Sequence, residues 1–221
     1  EVINQFYALS CGRLLPFFKA VLLYFLLTGE ASVSTALLKC LPILCLVAFL
    51  VWPRTSGGGP QSVRARLVCG GLLLSAVGDF CLVWEGYFPC GMLAFGMAHG
   101  CYMNAFGKRP WRWDLGAVFL VGVVLSLMVL TPPAGIISTF LPLYSLALGG
   151  TCWRAMARVC PLRCFHCKAG ANGALLFMLS DCILAYDMFN EPLPYAKLSI
   201  MLTYYLGQLG IALSVLCTHT L

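Results

Sequence analysis

Asp79 and Asp181 each lie inside a long apolar run, about six residues from one end of it. A charged Asp at the centre of a membrane-crossing helix costs about 2.5–3.5 kcal/mol on insertion scales, so it normally faces a bundle interior or a wet cavity. Other polar side chains fall at a comparable depth in neighbouring runs: Lys39, His99 with Tyr102 one turn further, and Tyr204, Tyr205 and Gln208. Ser75 lies four residues before Asp79, on the same helical face. Two carboxyls in unlike surroundings can divide labour, one protonated as an acid and the other ionised as a base or charge stabiliser. Such a pair suits hydrolysis of an acid-labile ether through an oxocarbenium-like state. Simpler readings stand beside this one. Lys39 is equally a counter-charge for one Asp, His99 a helix–helix hydrogen bonder, the tyrosines core or interface residues, and Ser75 a donor to its own backbone.

Other hydrolytic chemistries fit less well. The chain has three histidines, and His166 and His219 lie outside the apolar runs, so a three-His zinc site cannot form among the helices. The G-x-S-x-G elbow of serine hydrolases does not occur.

The elements that must position these residues are membrane helices. Of 221 residues 61% are hydrophobic and 10% charged, against about 25% charged in ordinary soluble domains. A water-soluble fold of this length cannot hide so much apolar surface, and lipid is the expected solvent. The predicted architecture is an all-α integral membrane protein of about eight transmembrane helices, forming one polytopic domain over residues 1–221. The spans are read as Leu14–Thr28, Ser34–Trp52, Leu67–Trp84, Phe88–Phe106, Leu115–Leu130, Ala134–Trp153, Ala169–Phe189 and Tyr195–Cys217. Turn signals separate them, among them Pro53 with Gly57-Gly58-Gly59-Pro60, Lys108-Arg109-Pro110 and Thr131-Pro132-Pro133. The first apolar stretch reads as a span and not as a cleaved leader.

Basic residues set the orientation. Arg13, Arg54, Arg64, Arg66, Lys108, Arg109, Arg112, Arg154, Arg158, Arg163 and Lys168 fall at one side, 11 of the 14 Lys and Arg residues. Glu30, Glu85, Asp187 and Glu191 fall at the other. The basic side is expected to be cytosolic, with both termini there. This arrangement explains the net charge of +6 without a nucleic-acid partner.

There is also an internal echo. The stretch from Gly71 through Asp79 to Leu82 resembles that from Gly173 through Asp181 to Leu184, and the same offset pairs Tyr102 with Tyr204. Spans three and four would then echo seven and eight, as in a parallel 4+4 repeat of the kind found in transporters. Most of the 13 cysteines, such as Cys45, Cys69, Cys81, Cys101 and Cys182, sit singly in apolar runs and read as small reduced hydrophobes. Cys160, Cys164, His166 and Cys167 form a tight group. Four ligands from eight consecutive residues wrap one ion poorly, so no metal is expected there. S-palmitoylation of a juxtamembrane loop and an incidental cluster are the remaining readings.

Lys39-x-x-Pro42, Ser75-Ala-Val-Gly-Asp79, Ala98-His99-Gly-Cys-Tyr102, Phe177-Met-Leu-Ser180-Asp181 and Leu202-Thr-Tyr-Tyr205-Leu-Gly-Gln208 resemble motifs of the YhhN-like transmembrane lysoplasmalogenases, above all the vertebrate members. The likeness runs from about span two to span eight. It implies hydrolysis of the vinyl ether bond of lysoplasmalogens to a fatty aldehyde and glycerophosphoethanolamine or glycerophosphocholine, in the endoplasmic reticulum membrane and without a cofactor. Set beside the convergence of these buried groups at one depth, that activity makes Asp79, Asp181 and His99 the expected catalytic residues. Lys39, Ser75, Tyr102, Tyr204, Tyr205 and Gln208 are expected to bind the lysophospholipid. A lipid or small-molecule transporter or binding membrane protein is the competing class, since a parallel repeat and midmembrane charges suit it as well, and a structural or partner-binding membrane protein is a third reading.

Overall fold

A computed structural model describes residues 2–51, 60–162 and 164–217 of the chain. Trp52, Arg54, the loop 57–59, Arg163 and His219 lie outside the described residues, as does the side chain of Cys160. Among the described residues the chain forms eight α-helices and no strand. They are α1 (Val2–Leu27), α2 (Val33–Val51), α3 (Pro60–Cys81), α4 (Phe88–Phe106), α5 (Trp113–Val129), α6 (Ile136–Leu162), α7 (Phe165–Phe189) and α8 (Ala196–Ser214). A 3-10 turn, Glu85–Tyr87, precedes α4.

The bundle is apolar outside as well as inside. Leu22 and Leu26 on α1, and Val118, Val121, Leu125 and Met128 on α5, are exposed. Continuous apolar surface of this kind marks contact with lipid. Helices α2, α7 and the stretch Ile136–Val159 of α6 are long and apolar enough to cross a membrane by length and composition alone. The protein is an all-helical, multi-pass membrane protein.

The closest helix pairs are α3 with α4 and α7 with α8. The two stretches that echo each other in sequence begin on α3 and α7. Without a hydrophobic drive between helices in lipid, close approach depends on small residues at the contact. A Cβ on Gly173 would stand 2.6 Å from the Gly207 carbonyl oxygen, and one on Gly210 2.5 Å from the Ala169 carbonyl oxygen. The backbones of α7 and α8 therefore touch directly. Helix α2 is continuous but carries a proline. Pro42 has no N–H to offer the carbonyl one turn back, and close to it the Tyr205 hydroxyl donates to the Lys39 carbonyl at 2.9 Å.

Several boundaries differ from the sequence reading: α1 starts at Val2, α3 at Pro60 and α7 at Phe165, each earlier than read, so Arg13, Arg64, Arg66 and Lys168 are helical. Helix α3 ends at Cys81, short of Trp84, and gives way to the turn that carries Glu85 and Gly86. Asp79 consequently lies in the last turn of α3, whereas Asp181 lies two turns from the end of α7. Helix α6 continues past Trp153, so Arg154 and Arg158 are helical and buried, not loop residues. Their guanidiniums close the C-terminal end of α4. Arg154 donates to the Gly107 carbonyl at 2.7 Å and to the Pro110 carbonyl at 2.9 Å, and Arg158 to the Phe106 carbonyl at 3.2 Å. Cations satisfy the orphan carbonyls and the negative dipole end at such a terminus.

The direct α7–α8 contact makes Gly173 intolerant of a side chain. Gly173→Ala is expected to lower the apparent melting temperature in detergent by several degrees, the effect of overpacking worth about 1–3 kcal/mol. Gly122→Ala on α5, where a Cβ meets nothing within 4 Å, is expected to leave it unchanged. Equal melting temperatures for the two variants would contradict this packing.

Candidate functional site

At the end of the bundle opposite the basic loops, α2, α3, α4, α6, α7 and α8 line an open cavity of about 130 Å³. Lys39, Asp79, Tyr144, Ser180, Asp181 and Tyr204 form its polar wall, and side chains such as Phe88, Met92, Met188 and Phe189 its apolar one. The two aspartates, 102 positions apart in sequence, open onto the same space.

Their surroundings differ. Asp79 is 1% exposed, with both carboxylate oxygens engaged. The Lys39 ammonium stands 3.6 Å from Oδ1, and the Tyr204 hydroxyl donates to Oδ2 at 2.6 Å. Asp181 is half-buried. Its Oδ2 accepts from the Tyr144 hydroxyl, and Oδ1 makes no hydrogen bond among the described residues. Lys39 is thus a counter-charge for Asp79 that Asp181 does not share.

His99 stands behind Asp181, not on the cavity wall. It is 0% exposed, its Nε2 is 3.9 Å from Asp181 Oδ2, and neither ring nitrogen has a hydrogen-bond partner among the described residues. Aromatic faces hold the ring, with Phe177 at 4.7 Å and Tyr144 at 5.6 Å between centroids. Phe95, Phe177 and Tyr204 pack edge to face against one another between the two halves of the site. A small shift of the imidazole would bring it into hydrogen bonding with the carboxyl that Tyr144 already fixes.

The remaining residues singled out in the sequence take other places. Ser75, Tyr102 and Gln208 form a separate buried chain: Ser75 Oγ and Tyr102 Oη are 3.2 Å apart, and the Tyr102 hydroxyl donates to Gln208 Oε1 at 2.8 Å. Gly71 makes room for it, since a Cβ there would lie 2.2 Å from the Tyr102 ring. None of the three lines the cavity, and neither does Tyr205, whose hydroxyl is committed to the Lys39 carbonyl. These four tie α2, α3, α4 and α8 together beneath the site. Tyr144 was not singled out from the sequence. A tyrosine in an apolar span has the composition of core or interface, and only its depth in α6, about eight residues from the same end as the aspartates, could have marked it.

Among the described residues, the one group of three His, Cys, Asp or Glu side chains close enough to share a metal ion is Cys164, Cys167 and Cys217, at the other end of the bundle.

Comparison with known proteins extends this picture. The chain matches the YhhN family over residues 34–215. It is 41% identical to human "Lysoplasmalogenase TMEM86B" over 93% of this chain and 87% of that protein. It is 39% identical to bovine (Bos taurus) "Lysoplasmalogenase TMEM86A" over 91% and 88%. A "Lysoplasmalogenase homolog" of Dictyostelium discoideum is 27% identical over 68% and 63%. No solved structure matches the chain.

Removal of the Tyr102 hydroxyl would leave Gln208 Oε1 and Ser75 Oγ buried without that partner. Tyr102→Phe is therefore expected to cost about 1–3 kcal/mol of stability, read as a lower denaturation midpoint of the detergent-solubilised protein. An unchanged midpoint would show that the chain is not structural.

Proposed function

This chain belongs to the YhhN family, and on that premise we propose that it is a lysoplasmalogenase, hydrolysing the vinyl ether bond of a lysophospholipid by carboxylate acid/base catalysis. The observation that carries the chemistry is that Asp79 and Asp181 line one cavity with different partners. The lysoplasmalogenase names of relatives about 40% identical over most of the chain support the substrate.

A vinyl ether is cleaved by protonating its β-carbon, because the adjacent oxygen then shares a lone pair with the α-carbon as an oxocarbenium ion. In our reading Asp181 is the acid. Tyr144 fixes one of its oxygens and leaves the other free to carry a proton. The alkene π pair takes that proton. Asp79, the carboxylate with a cationic neighbour, faces the developing positive charge and takes a proton from the water that attacks the α-carbon. The resulting hemiacetal collapses when Asp79 returns its proton to the departing glycerol oxygen and Asp181 accepts the hemiacetal hydroxyl proton. Both carboxyls then stand as they began, and the products are a fatty aldehyde and a glycerophospho-alcohol.

His99, which does not line the cavity, is assigned a positioning role behind Asp181, where it can exchange a proton with that carboxyl. Lys39 is the one cation on the cavity wall among the described residues, so it is also the group nearest to hand for the headgroup phosphate. Ser75, Tyr102, Tyr205 and Gln208 support the wall and do not touch the lipid. The apolar wall receives the first carbons of the alkenyl chain. We place the protein in the endoplasmic reticulum membrane with both termini cytosolic. The family resemblance supports the compartment, and the one-sided basic residues support the orientation.

Purified protein in detergent, where no gradient can exist, is expected to release aldehyde from a lysoplasmalogen. In D2O the aldehyde should carry one deuterium on the carbon next to the carbonyl. Asp79→Asn and Asp181→Asn should each lower turnover by about 10²–10⁴, the usual range for a positioned acid or base. Lipid binding without aldehyde release in the unsubstituted protein would favour a transporter. Full turnover in either folded variant would refute the mechanism.

A further inference from the structure

At the basic end of the bundle the start of α7 meets the end of α8. Cys164 is the N-cap of α7 and Cys167 lies in its first turn, while Cys217 follows α8. Cys164 Sγ is 3.1 Å from Cys217 Sγ, and Cys167 Sγ is 3.2 Å from it. All three sulfurs lie within 4.8 Å of one another. We propose that Cys164, Cys167 and Cys217 form a thiolate site for one closed-shell thiophilic metal ion, zinc or monovalent copper, that clamps α7 to α8.

The geometry separates this from two simpler readings. Buried cysteines acting as small hydrophobes have no reason to converge sulfur on sulfur from two helices, because sulfur–sulfur contact offers no more than any other apolar contact. A disulfide would pair Cys217 with one partner and strand the other. Here Cys217 is almost equally close to both. A shared ion accounts for the symmetry: zinc binds thiolate sulfur at about 2.3 Å, which at tetrahedral angles sets two sulfurs about 3.8 Å apart, so each close pair opens by roughly 0.6 Å to seat it.

The sequence spacing supports the same site. C-x-x-C at a helix start puts two sulfurs on one turn, where the Cys167 N–H donates to Cys164 Sγ at 3.3 Å and orients it. The third ligand comes from a distant segment, which removes the steric objection to drawing all ligands from residues 160–167. Arg64 holds that segment in place, donating to the Ser214 and Cys217 carbonyls at 3.3 Å each.

Charge is also provided for. Three thiols binding Zn²⁺ release three protons and leave a net charge of −1. Arg64 and Arg158 line a small cavity with Cys167 beside the cluster, and Arg158 is 6% exposed with its Nη2 unpartnered among the described residues. With Cys167 and Cys217 5% and 3% exposed, the ion would be held away from bulk water. Three thiolates complete a trigonal set around monovalent copper and leave one open position on zinc. The site is remote from the cavity of Asp79 and Asp181, so it acts on the stability of the α7–α8 pair and not on the chemical step.

The test uses the full chain, purified in detergent under reducing conditions and loaded with Zn²⁺ alone, Cu⁺ alone or Co²⁺ alone before desalting. The expected result is one tightly held Zn²⁺ or Cu⁺ per chain, protection of three thiols from a thiol reagent, and a thiolate-to-cobalt charge-transfer band with Co²⁺. Cys217→Ser and Cys164→Ser should each weaken metal retention at least tenfold. Absence of both the cobalt band and retained Cu⁺ in the unsubstituted chain overturns the proposal, however the variants fold. So does metal retention that is unchanged in the folded variants, or formation of a disulfide in place of metal binding.

Discussion

A carboxyl group held in hydrocarbon must find a partner or lose its charge, and that constraint organises the end of this bundle that holds Asp79 and Asp181. Asp79 meets it with an ammonium on one oxygen and a phenol on the other. Asp181 meets it with a phenol on one oxygen and an imidazole close behind. Lys39 comes from α2, Tyr204 from α8, Tyr144 from α6 and His99 from α4. Satisfying two acids thus requires six helices to converge on one cavity. A bundle built only for stability would gain more by replacing such groups with apolar ones of the same size, so their presence points to chemistry.

The rest of the fold holds those partners in place. Backbone contact at Gly173 and Gly210 sets the spacing of α7 and α8, and hence of Asp181 and Tyr204. Tyr205 binds α8 to α2 at the carbonyl of Lys39 itself, so the residue that carries the cation is fixed from its backbone. The Ser75–Tyr102–Gln208 chain joins α3, α4 and α8 one layer below. At the far end Arg154 and Arg158 seal α4 against α6. The Tyr205, Tyr102 and Gln208 bonds are made inside the bundle, where an unmade bond is costly.

Much of this was legible in the sequence, for a physical reason. In lipid an ionisable residue stands out against an apolar run, so Asp79, Asp181, Lys39 and His99 declared themselves by type and depth, and the helices by length. Tyrosine does not stand out in that way. Tyr204 was found beside a recognisable motif, Tyr144 had none, and Tyr205 and Tyr102 share its chemistry while pointing elsewhere. Which hydroxyl faces the cavity depends on the rotation of each helix, and apolar residues on every face leave that rotation unmarked. The same holds for Arg154 and Arg158, which read as loop charges because α4's need for a C-terminal partner appears only when α6 is packed beside it. Cys217 could not be joined to Cys164 and Cys167 without the α7–α8 contact.

If the two aspartates act as one unit, their losses cannot be independent, because residues that serve the same step are strongly non-additive. A double-mutant cycle on single-turnover aldehyde release, comparing Asp79→Asn, Asp181→Asn and the combined variant, reads this directly. The combined variant should be no more than a few-fold slower than the slower single variant. A combined loss equal to the product of the two single losses would mean that the carboxyls work separately, and that their shared cavity is not the catalyst.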